Sequence, residues 1–137
     1  MKISAKAEYA CLAIIALAQR GGDTGPPVRI RSIAESYAIP ERYLVQILLH
    51  LKGAGLVYSA RGASGGYRLA RPADQINLGE VLSAIDGPGE PPRDSGQPSA
   101  RLLASVLEEI RVAESAILRR TSISQLVERA GPRDWVI

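Results

Sequence analysis

The period of the hydrophobic pattern changes from 3.6 to 2 partway along the chain, and this change constrains the fold more than any other feature. One apolar stripe at spacing i, i+3, i+4 and i+7 predicts a helix over 40–52 and consists of Leu44, Ile47, Leu48 and Leu51. Residues 56–59 and 67–70 instead favour short strands, and the segment between them, 61–66, is rich in glycine. The chain therefore contains a helix followed directly by a predicted β-hairpin.

Two more helices are predicted before that hairpin. An apolar run predicts a buried helix over 4–20, with Ser4 as its N-cap and Gly21-Gly22 at its end. A short helix begins near Ile30, and Ala38-Ile39-Pro40 leaves a turn of three residues before the helix over 40–52. Two helices joined by a tight turn and followed by a hairpin are typical of a winged helix-turn-helix.

The rest of the chain is predicted to be helical. A helix starts at Asn77, whose side chain pairs with Glu80 in a capping pattern, and two further helices cover 99–120 and 122–130. Seven of the twelve residues in 87–98 are Gly or Pro, which sustain neither helix nor strand. The predicted organisation has four parts: a winged helix-turn-helix domain over 1–86, a linker over 87–98, a pair of helices over 99–130 and a tail over 131–137. The expected fold class is mainly α with a small β-hairpin and a long C-terminal dimerisation helix.

The helix over 99–120 carries an unusually wide apolar face. At 100° per residue its apolar side chains cover an arc of about 160°, more than one neighbouring helix usually needs. The helix is either tucked into its own domain or shared with a second subunit, and we favour the second interpretation. The predicted homodimer interface consists of Leu102, Leu103, Val106, Leu107, Ile110, Ala113 and Ile117.

The composition excludes several classes of site. Cys11 and His50 are the only cysteine and histidine, so one chain cannot supply a disulfide framework, a four-ligand zinc site or a cysteine-ligated iron–sulfur cluster. We expect no metal and no other cofactor, and we interpret Cys11 as a packing residue. Residues 1–80 hold 10 basic and 6 acidic side chains, which weakly favours a polyanionic partner.

The apolar run over 9–18 superficially resembles a secretory signal. It follows Glu8 directly and contains no Gly or Pro, so a buried helix is the better interpretation. The run is also shorter than the ~20 apolar residues that a membrane span requires. We expect a cytoplasmic protein with no membrane partner.

Residues 62–66 match the G-x-S-x-G pattern of serine hydrolases letter for letter. That motif needs a strand before it, a helix after it and a histidine base, whereas here a strand follows and His50 lies on the helix over 40–52. We therefore predict no catalytic residues and no enzymatic activity.

Several segments together resemble the Rrf-two family of bacterial winged-helix transcription regulators. They are Met1-Lys2-Ile3-Ser4 leading to Tyr9-Ala10, Ile39-Pro40-Glu41-Arg42-Tyr43-Leu44, Lys52-Gly53-Ala54-Gly55-Leu56-Val57, Arg61-Gly62-Ala63-Ser64-Gly65-Gly66-Tyr67 and Leu78-Gly79-Glu80-Val81. The resemblance implies a homodimer that binds palindromic operator DNA, with the long C-terminal helix crossing to the partner subunit.

The chain departs from the family pattern at three places. Sensor members carry three cysteines in the loop equivalent to 87–98, and this chain has none there, so the resemblance implies a regulator without an iron–sulfur cluster. Val45 replaces an acidic residue that the family often has in the recognition helix, so its operator sequence cannot be transferred. Ala38 stands where a glycine commonly sits, which would be slightly strained if that residue needs a positive φ.

The face of the helix over 40–52 opposite the stripe is expected to enter the major groove. Arg42 could bind guanine O6 and N7, Gln46 could bind adenine N6 and N7, and Val45 could touch a thymine methyl group. Leu49 lies on the same face without an evident role.

The hairpin tip and the basic residues around it are candidates for contacts with the DNA backbone. Arg61, Gly62 and Ser64 are predicted to approach the minor groove. The candidates for phosphate contacts are Lys2, Ser4, Lys6, Tyr43, Arg68 and Arg71. For Arg68 and Arg71, the alternative is that they are solvated surface charges.

The sequence thus predicts a sequence-specific DNA-binding transcriptional regulator, a homodimeric repressor that binds a pseudo-palindromic operator. The expected partners are double-stranded DNA and a second copy of the chain, and an unknown small-molecule effector stays open. The alternative is a ligand-sensing or protein-interaction module that uses the winged fold without binding DNA, because a fold does not fix a function.

Overall fold

The computed structural model describes residues 2–63, 65–88 and 95–130 of the 137-residue chain. Over these residues the protein forms six α-helices, a short 3₁₀ turn over Ala73–Gln75 and a two-stranded antiparallel sheet. The elements are α1 Ala5–Arg20, α2 Ile30–Tyr37, α3 Glu41–Gly53, β1 Val57–Ala60, β2 Gly66–Leu69, α4 Leu78–Asp86, α5 Pro98–Arg120 and α6 Ile123–Ala130. The predicted fold class, mainly helical with a hairpin wing and a long C-terminal helix, is confirmed.

The central element of the core is α1, which packs against α3, α4 and α6. Its buried face is made largely of small residues: Ala7, Ala10, Ala13, Ile14, Ala16 and Leu17. Alanines let neighbouring helices approach closely, and larger side chains from α3 and the other helices fill the remaining space. Each fully buried Leu or Ile side chain contributes roughly 1.5–3 kcal/mol relative to exposure.

The beginning of α1 is tied to the end of α4. The Ser4 hydroxyl accepts a hydrogen bond from the Ala7 N–H at 3.0 Å, which makes Ser4 the N-cap that the sequence predicts. The same hydroxyl donates to the Asp86 carboxylate at 2.5 Å, and the Ser4 N–H donates to that carboxylate at 3.2 Å. Two helix ends that lie 82 residues apart in sequence are thereby joined.

The turn between α2 and α3 depends on a left-handed residue. Ala38 has φ 53° and ψ 39°, and the Ile39 N–H donates to the Ala34 carbonyl at 3.0 Å. Ile39 is buried and anchors the turn in the core. The positive φ that the family resemblance suggested for Ala38 is therefore present, and Ala38 is the non-glycine residue with positive φ among those described.

The hairpin is joined by a third segment that was not predicted. The strands pair from Val57 with Leu69 to Ala60 with Gly66. Val28 then forms an isolated antiparallel bridge with Tyr67, with N to O distances of 2.7 and 2.8 Å. A Cβ at position 66 would overlap the Val28 carbonyl oxygen, so glycine is required there by the close approach of the two backbones.

The C-terminal helices are attached to the domain at one end of α5. Asn77 caps α4 in the predicted reciprocal pair with Glu80, with the Glu80 N–H donating to the Asn77 side chain at 2.9 Å. The Leu78 N–H donates to the Thr121 carbonyl at 2.8 Å, and α6 buries Ile123 in the core. The C-terminal end of α5 is therefore fixed, while α5, which is described over its whole length, contains no buried residue.

The helix bounds agree with the predicted bounds to within one residue, and each strand is displaced by one position. The strand prediction placed Leu56 in β1, but the Leu56 N–H still donates to the Leu51 carbonyl and closes the end of α3. The part of the linker over 89–94 and the tail over 131–137 lie outside the described residues. None of the helices in the described part of the chain is long and apolar enough to cross a bilayer.

Replacing Ala38 with glycine should stabilise the protein by about 0.5–1 kcal/mol. Relief of the left-handed penalty outweighs the backbone entropy that a glycine adds to the unfolded state. The measurement is thermal unfolding at fixed protein concentration, with an expected rise in Tm of about 2–4 °C. Ala54→Gly is the matched control, because exposed Ala54 has φ −85° and should lose stability. A lower Tm for Ala38→Gly would contradict the inference that the left-handed conformation of Ala38 is strained.

Candidate nucleic-acid interface

The exposed face of α3 carries the residues predicted to read DNA bases. Because Leu44, Ile47, Leu48 and Leu51 are fully buried, the opposite side of the helix must face solvent. The exposed side chains on and beside that face are Arg42, Val45, Gln46, Leu49 and His50. The structure therefore places all three predicted base-contact residues on one accessible surface.

The start of α3 is held against α1 by an aromatic pair. The rings of Tyr43 and Tyr9 meet edge to face, with centroids 5.7 Å apart and an interplanar angle of 90°. Lys6 lies one turn before Tyr9 and so on the same side of α1. This arrangement brings one of the predicted phosphate contacts, Lys6, to the end of α3 at which Arg42 is exposed.

The tip of the wing is an exposed turn. Arg61 and Gly62 are exposed, Gly62 has φ +103°, and the Gly65 N–H donates to the Gly62 carbonyl at 2.9 Å. A residue with a side chain would be strained at position 62, since that φ is accessible mainly to glycine. Ser64, the third predicted wing contact, lies outside the described residues.

Arg29 connects the wing tip to the beginning of α2, a contact that the sequence analysis missed. Its guanidinium Nη2 donates to the Ala63 carbonyl at 2.6 Å. Arg29 immediately follows Val28, which pairs with Tyr67 in the same hairpin. The wing is thus fastened by Val28 at Tyr67, close to the tip end of β2, and by Arg29 at the tip itself. A contact between residues 34 positions apart leaves no local pattern from which it could have been predicted.

Arg68 and Arg71, two of the basic candidates, already have partners within the protein. Arg71 forms an ion pair with Glu80 at 2.9 Å and donates to the Gln75 carbonyl at 3.1 Å. The guanidinium of Arg68 lies over the Tyr58 ring, 4.8 Å from its centroid. These contacts hold Arg71 against the start of α4 and Arg68 against β1 of the wing. Their phosphate contacts stay predictions, because each guanidinium group would have to bind a phosphate in addition to its partner in the protein.

Lys2 and Ser4 lie at the N-terminal end of α1, where Ser4 is the N-cap. Lys2 and Asp86 line a groove between α4 and α5 with a volume of about 610 Å³. The opposite end of α1 reaches the wing, where the Leu69 N–H donates to the Gly22 carbonyl. The 16 residues of α1 span about 24 Å, so Lys2 lies roughly that far from the base of the wing. The Ser4 hydroxyl is used by its hydrogen bonds to Ala7 and Asp86.

A second accessible surface is the apolar face of α5. Six of its seven predicted interface side chains are 45–69% exposed: Leu102, Leu103, Val106, Leu107, Ile110 and Ile117. Ala113, the seventh, is also exposed. Val112 is 51% exposed as well, but the angular count puts it on the opposite side of the helix from Ile110. A continuous exposed face of this kind marks an interaction surface.

The chain does not fit the iron–sulfur cluster of the sensor members that it resembles in sequence. Cys11 is the single cysteine of the sequence and lies half-buried in α1. Burial raises the pKa of its thiol to about 11, with smaller contributions from the Glu8 and Asp86 carboxylates. At neutral pH this thiol is protonated and is a poor metal ligand. In the described residues no group of three or more His, Cys, Asp or Glu side chains could hold a metal ion.

Comparisons with known proteins agree with this geometry. The family model for Rrf2, described as an iron-dependent transcriptional regulator, matches residues 3–129. The chain is 36% identical over 128 residues to the HTH-type transcriptional regulator CymR of Bacillus subtilis, covering 92% of this chain and 89% of that protein. It is 32% identical over 138 residues to the HTH-type transcriptional regulator IscR of Cereibacter sphaeroides, with coverage of 93% and 88%.

The fold is similar to that of a solved relative. The structure of CymR, the global cysteine regulator of B. subtilis, superposes with a TM-score of 0.82 at 34% identity, covering 94% of this chain and 98% of that one. The relatives of the present chain are transcriptional regulators rather than enzymes, as the sequence predicted. The exposed face of α3, the wing and these relationships lead to one conclusion: the chain belongs to the Rrf2 (Rrf-two) family and is a DNA-binding transcriptional regulator.

Proposed function

We propose that the protein is a homodimeric repressor that binds a pseudo-palindromic operator and carries no iron–sulfur cluster. The observation that supports this most directly is the exposed face of α3, where Arg42, Val45 and Gln46 lie opposite a fully buried stripe. In a helix-turn-helix, that face meets base edges in the major groove. The wing next to it would grip the neighbouring DNA backbone.

The residues on α3 suit direct readout of bases. The Arg42 guanidinium matches guanine O6 and N7, the Gln46 amide matches adenine N6 and N7, and Val45 offers an apolar contact to a thymine methyl group. At the wing tip, exposed Arg61 is suited to a narrow minor groove, where negative potential is concentrated. Lys6 supplies a phosphate contact near the start of α3.

The α5 face supports a homodimer. The helix has 23 residues, which corresponds to about 34 Å, and its apolar side chains are exposed along most of that length. Pairing this face with the same face of a second copy buries it on both subunits, as two-fold symmetry requires. Two recognition helices would then meet half-sites one duplex turn, ~34 Å, or a multiple of it apart. A dimer that occupies an operator in this way represses by excluding other proteins.

The proposed function is tested by selection of bound duplexes from a randomised library. The expected product is an inverted repeat. With that duplex, Arg42→Ala should lose affinity by about 5-fold to 160-fold for each half-site and relax specificity at one base pair in each half-site, because a bidentate contact contributes ~1–3 kcal/mol. Lys6→Ala should weaken operator and random duplex alike and reduce the salt dependence of log Kd by ~0.9 for each phosphate that it no longer neutralises. Fluorescence anisotropy over a series of salt concentrations measures both effects.

Failure to recover any specific duplex would contradict the proposal of an operator-binding repressor and would favour a module that does not bind DNA. Equal losses on operator and random duplex for both variants would show instead that Arg42 has no role in base readout.

Arg29→Ala should loosen the wing in the free protein. Without the hydrogen bond to the Ala63 carbonyl the tip loses its contact with Arg29, while the Val28 bridge to Tyr67 remains, so amide hydrogen exchange over 61–66 should accelerate several-fold. Arg31→Ala removes the same charge from an exposed position two residues later and is the matched control. Unchanged exchange in Arg29→Ala would contradict the role of this hydrogen bond in holding the tip.

Ile110→Lys should convert the dimer to a monomer, because it buries an unpaired charge at the centre of the α5 interface. Val112→Lys is the matched control, since Val112 is exposed to a similar extent on the other side of the helix (51% against 48%). Sedimentation velocity measures the assembly state. A monomeric wild-type protein, or dissociation by Val112→Lys in place of Ile110→Lys, would contradict the proposed interface.

A further inference from the structure

Leu49 is an exposed leucine in the middle of the surface that reads DNA. It is 54% exposed, whereas Val45, one turn earlier, is 36% exposed. Counted at 100° per residue, Leu49 lies between Val45 and Arg42 around the helix, with Gln46 beyond Arg42. Three side chains of α3 therefore point most squarely away from the core: two are polar, Arg42 and Gln46, and the third, Leu49, is aliphatic.

The fold does not require a leucine at this position. The packing of α3 is provided by its buried stripe on the opposite side, and Leu49 is absent from the buried cluster and from the side chains packed against it. A single exposed leucine needs no explanation by itself. Leu49 is different because it forms a strip with Val45 at spacing i, i+4, along the axis of the recognition helix.

The surroundings of this strip indicate what it contacts. Arg42 and Gln46 border it on one side, and Lys52 lies near its end on the same helix, so the strip is narrow and set in polar and cationic groups. The α5 face is the opposite case: a wide and continuous apolar surface, suited to another protein. A narrow apolar strip among donors matches the major groove, where the thymine methyl is the apolar group presented between hydrogen-bonding edges.

We propose that Leu49 is a specificity-determining residue that contacts the 5-methyl group of a thymine in each half-site, separate from the thymine contacted by Val45. This proposal rests on the proposed function, because it assumes that α3 enters the major groove. Side chains at i and i+4 are about 6 Å apart and successive base pairs about 3.4 Å apart, so the two methyl groups would lie about two base-pair steps from each other.

The test uses the duplex recovered by selection, with each thymine replaced in turn by deoxyuridine. This change removes the methyl group and leaves base pairing and charge unaltered. Wild-type protein should lose affinity by about fourfold at each of two positions in a half-site, the value expected for one buried methyl group. Leu49→Ala should lose the sensitivity at one of these positions and keep it at the other, and Val45→Ala should do the reverse.

The variants are comparable because alanine at an exposed helical position preserves the helix. Unchanged Tm and retention of the base specificity that depends on Arg42 show that α3 still folds and docks. Equal sensitivity of wild-type and Leu49→Ala protein at every thymine would overturn the Leu49 proposal while leaving the regulator intact. A loss of affinity in Leu49→Ala that is uniform over all duplexes would also overturn it, since it indicates packing on the sugar–phosphate backbone. If no specific duplex is recovered, both proposals fail.

Discussion

The burial of four aliphatic side chains on α3 is the constraint on which the recognition surface depends. With Leu44, Ile47, Leu48 and Leu51 fully buried, rotation of the helix about its axis would bring at least one of them into water at a cost of roughly 1.5–3 kcal/mol each. The same packing therefore fixes the direction of Arg42 and Gln46, whose exposed side chains lie on the opposite side of the helix. In the proposed complex, the buried residues that orient Arg42 and Gln46 would not themselves touch DNA.

The wing needs a different kind of support, because a two-stranded hairpin is only marginally stable by itself. Val28 adds two backbone hydrogen bonds to Tyr67, and Arg29 reaches the carbonyl of Ala63 at the tip. Both residues directly precede α2, the first helix of the helix-turn-helix. The position of the wing relative to α3 is consequently determined through α2 and the turn at Ala38, where a left-handed alanine is held by the burial of Ile39.

Much of the fold could be predicted from the sequence because its signals are local. The stripe on α3, the Ser4 and Asn77 caps and the glycine-rich tip each depend on residues within a few positions of one another. The Val28 bridge, the Arg29 contact and the Ser4–Asp86 pair join residues 34 to 82 positions apart, and no local pattern encodes them. The position of Leu49 on the recognition face was predictable from the angular count, but its role was not, since that depends on what remains exposed once the domain is packed.

The α4 helix links the two exposed surfaces of the protein. Its end at Asp86 holds the start of α1, whose Tyr9 packs on Tyr43 at the beginning of α3. On its other side α4 packs against α5, closely enough at Gly79 that an added Cβ would lie 3.2 Å from the Leu118 Cβ. The groove lined by Asp86, Leu107 and Ile110 lies at this junction and opens onto the apolar face of α5. In the proposed dimer, a shift of α5 across α4 would change the separation of the two recognition helices. The close packing at Gly79 would resist that shift, so in the proposed dimer helix packing between α4 and α5, rather than the proposed base-contact residues, would set the half-site spacing.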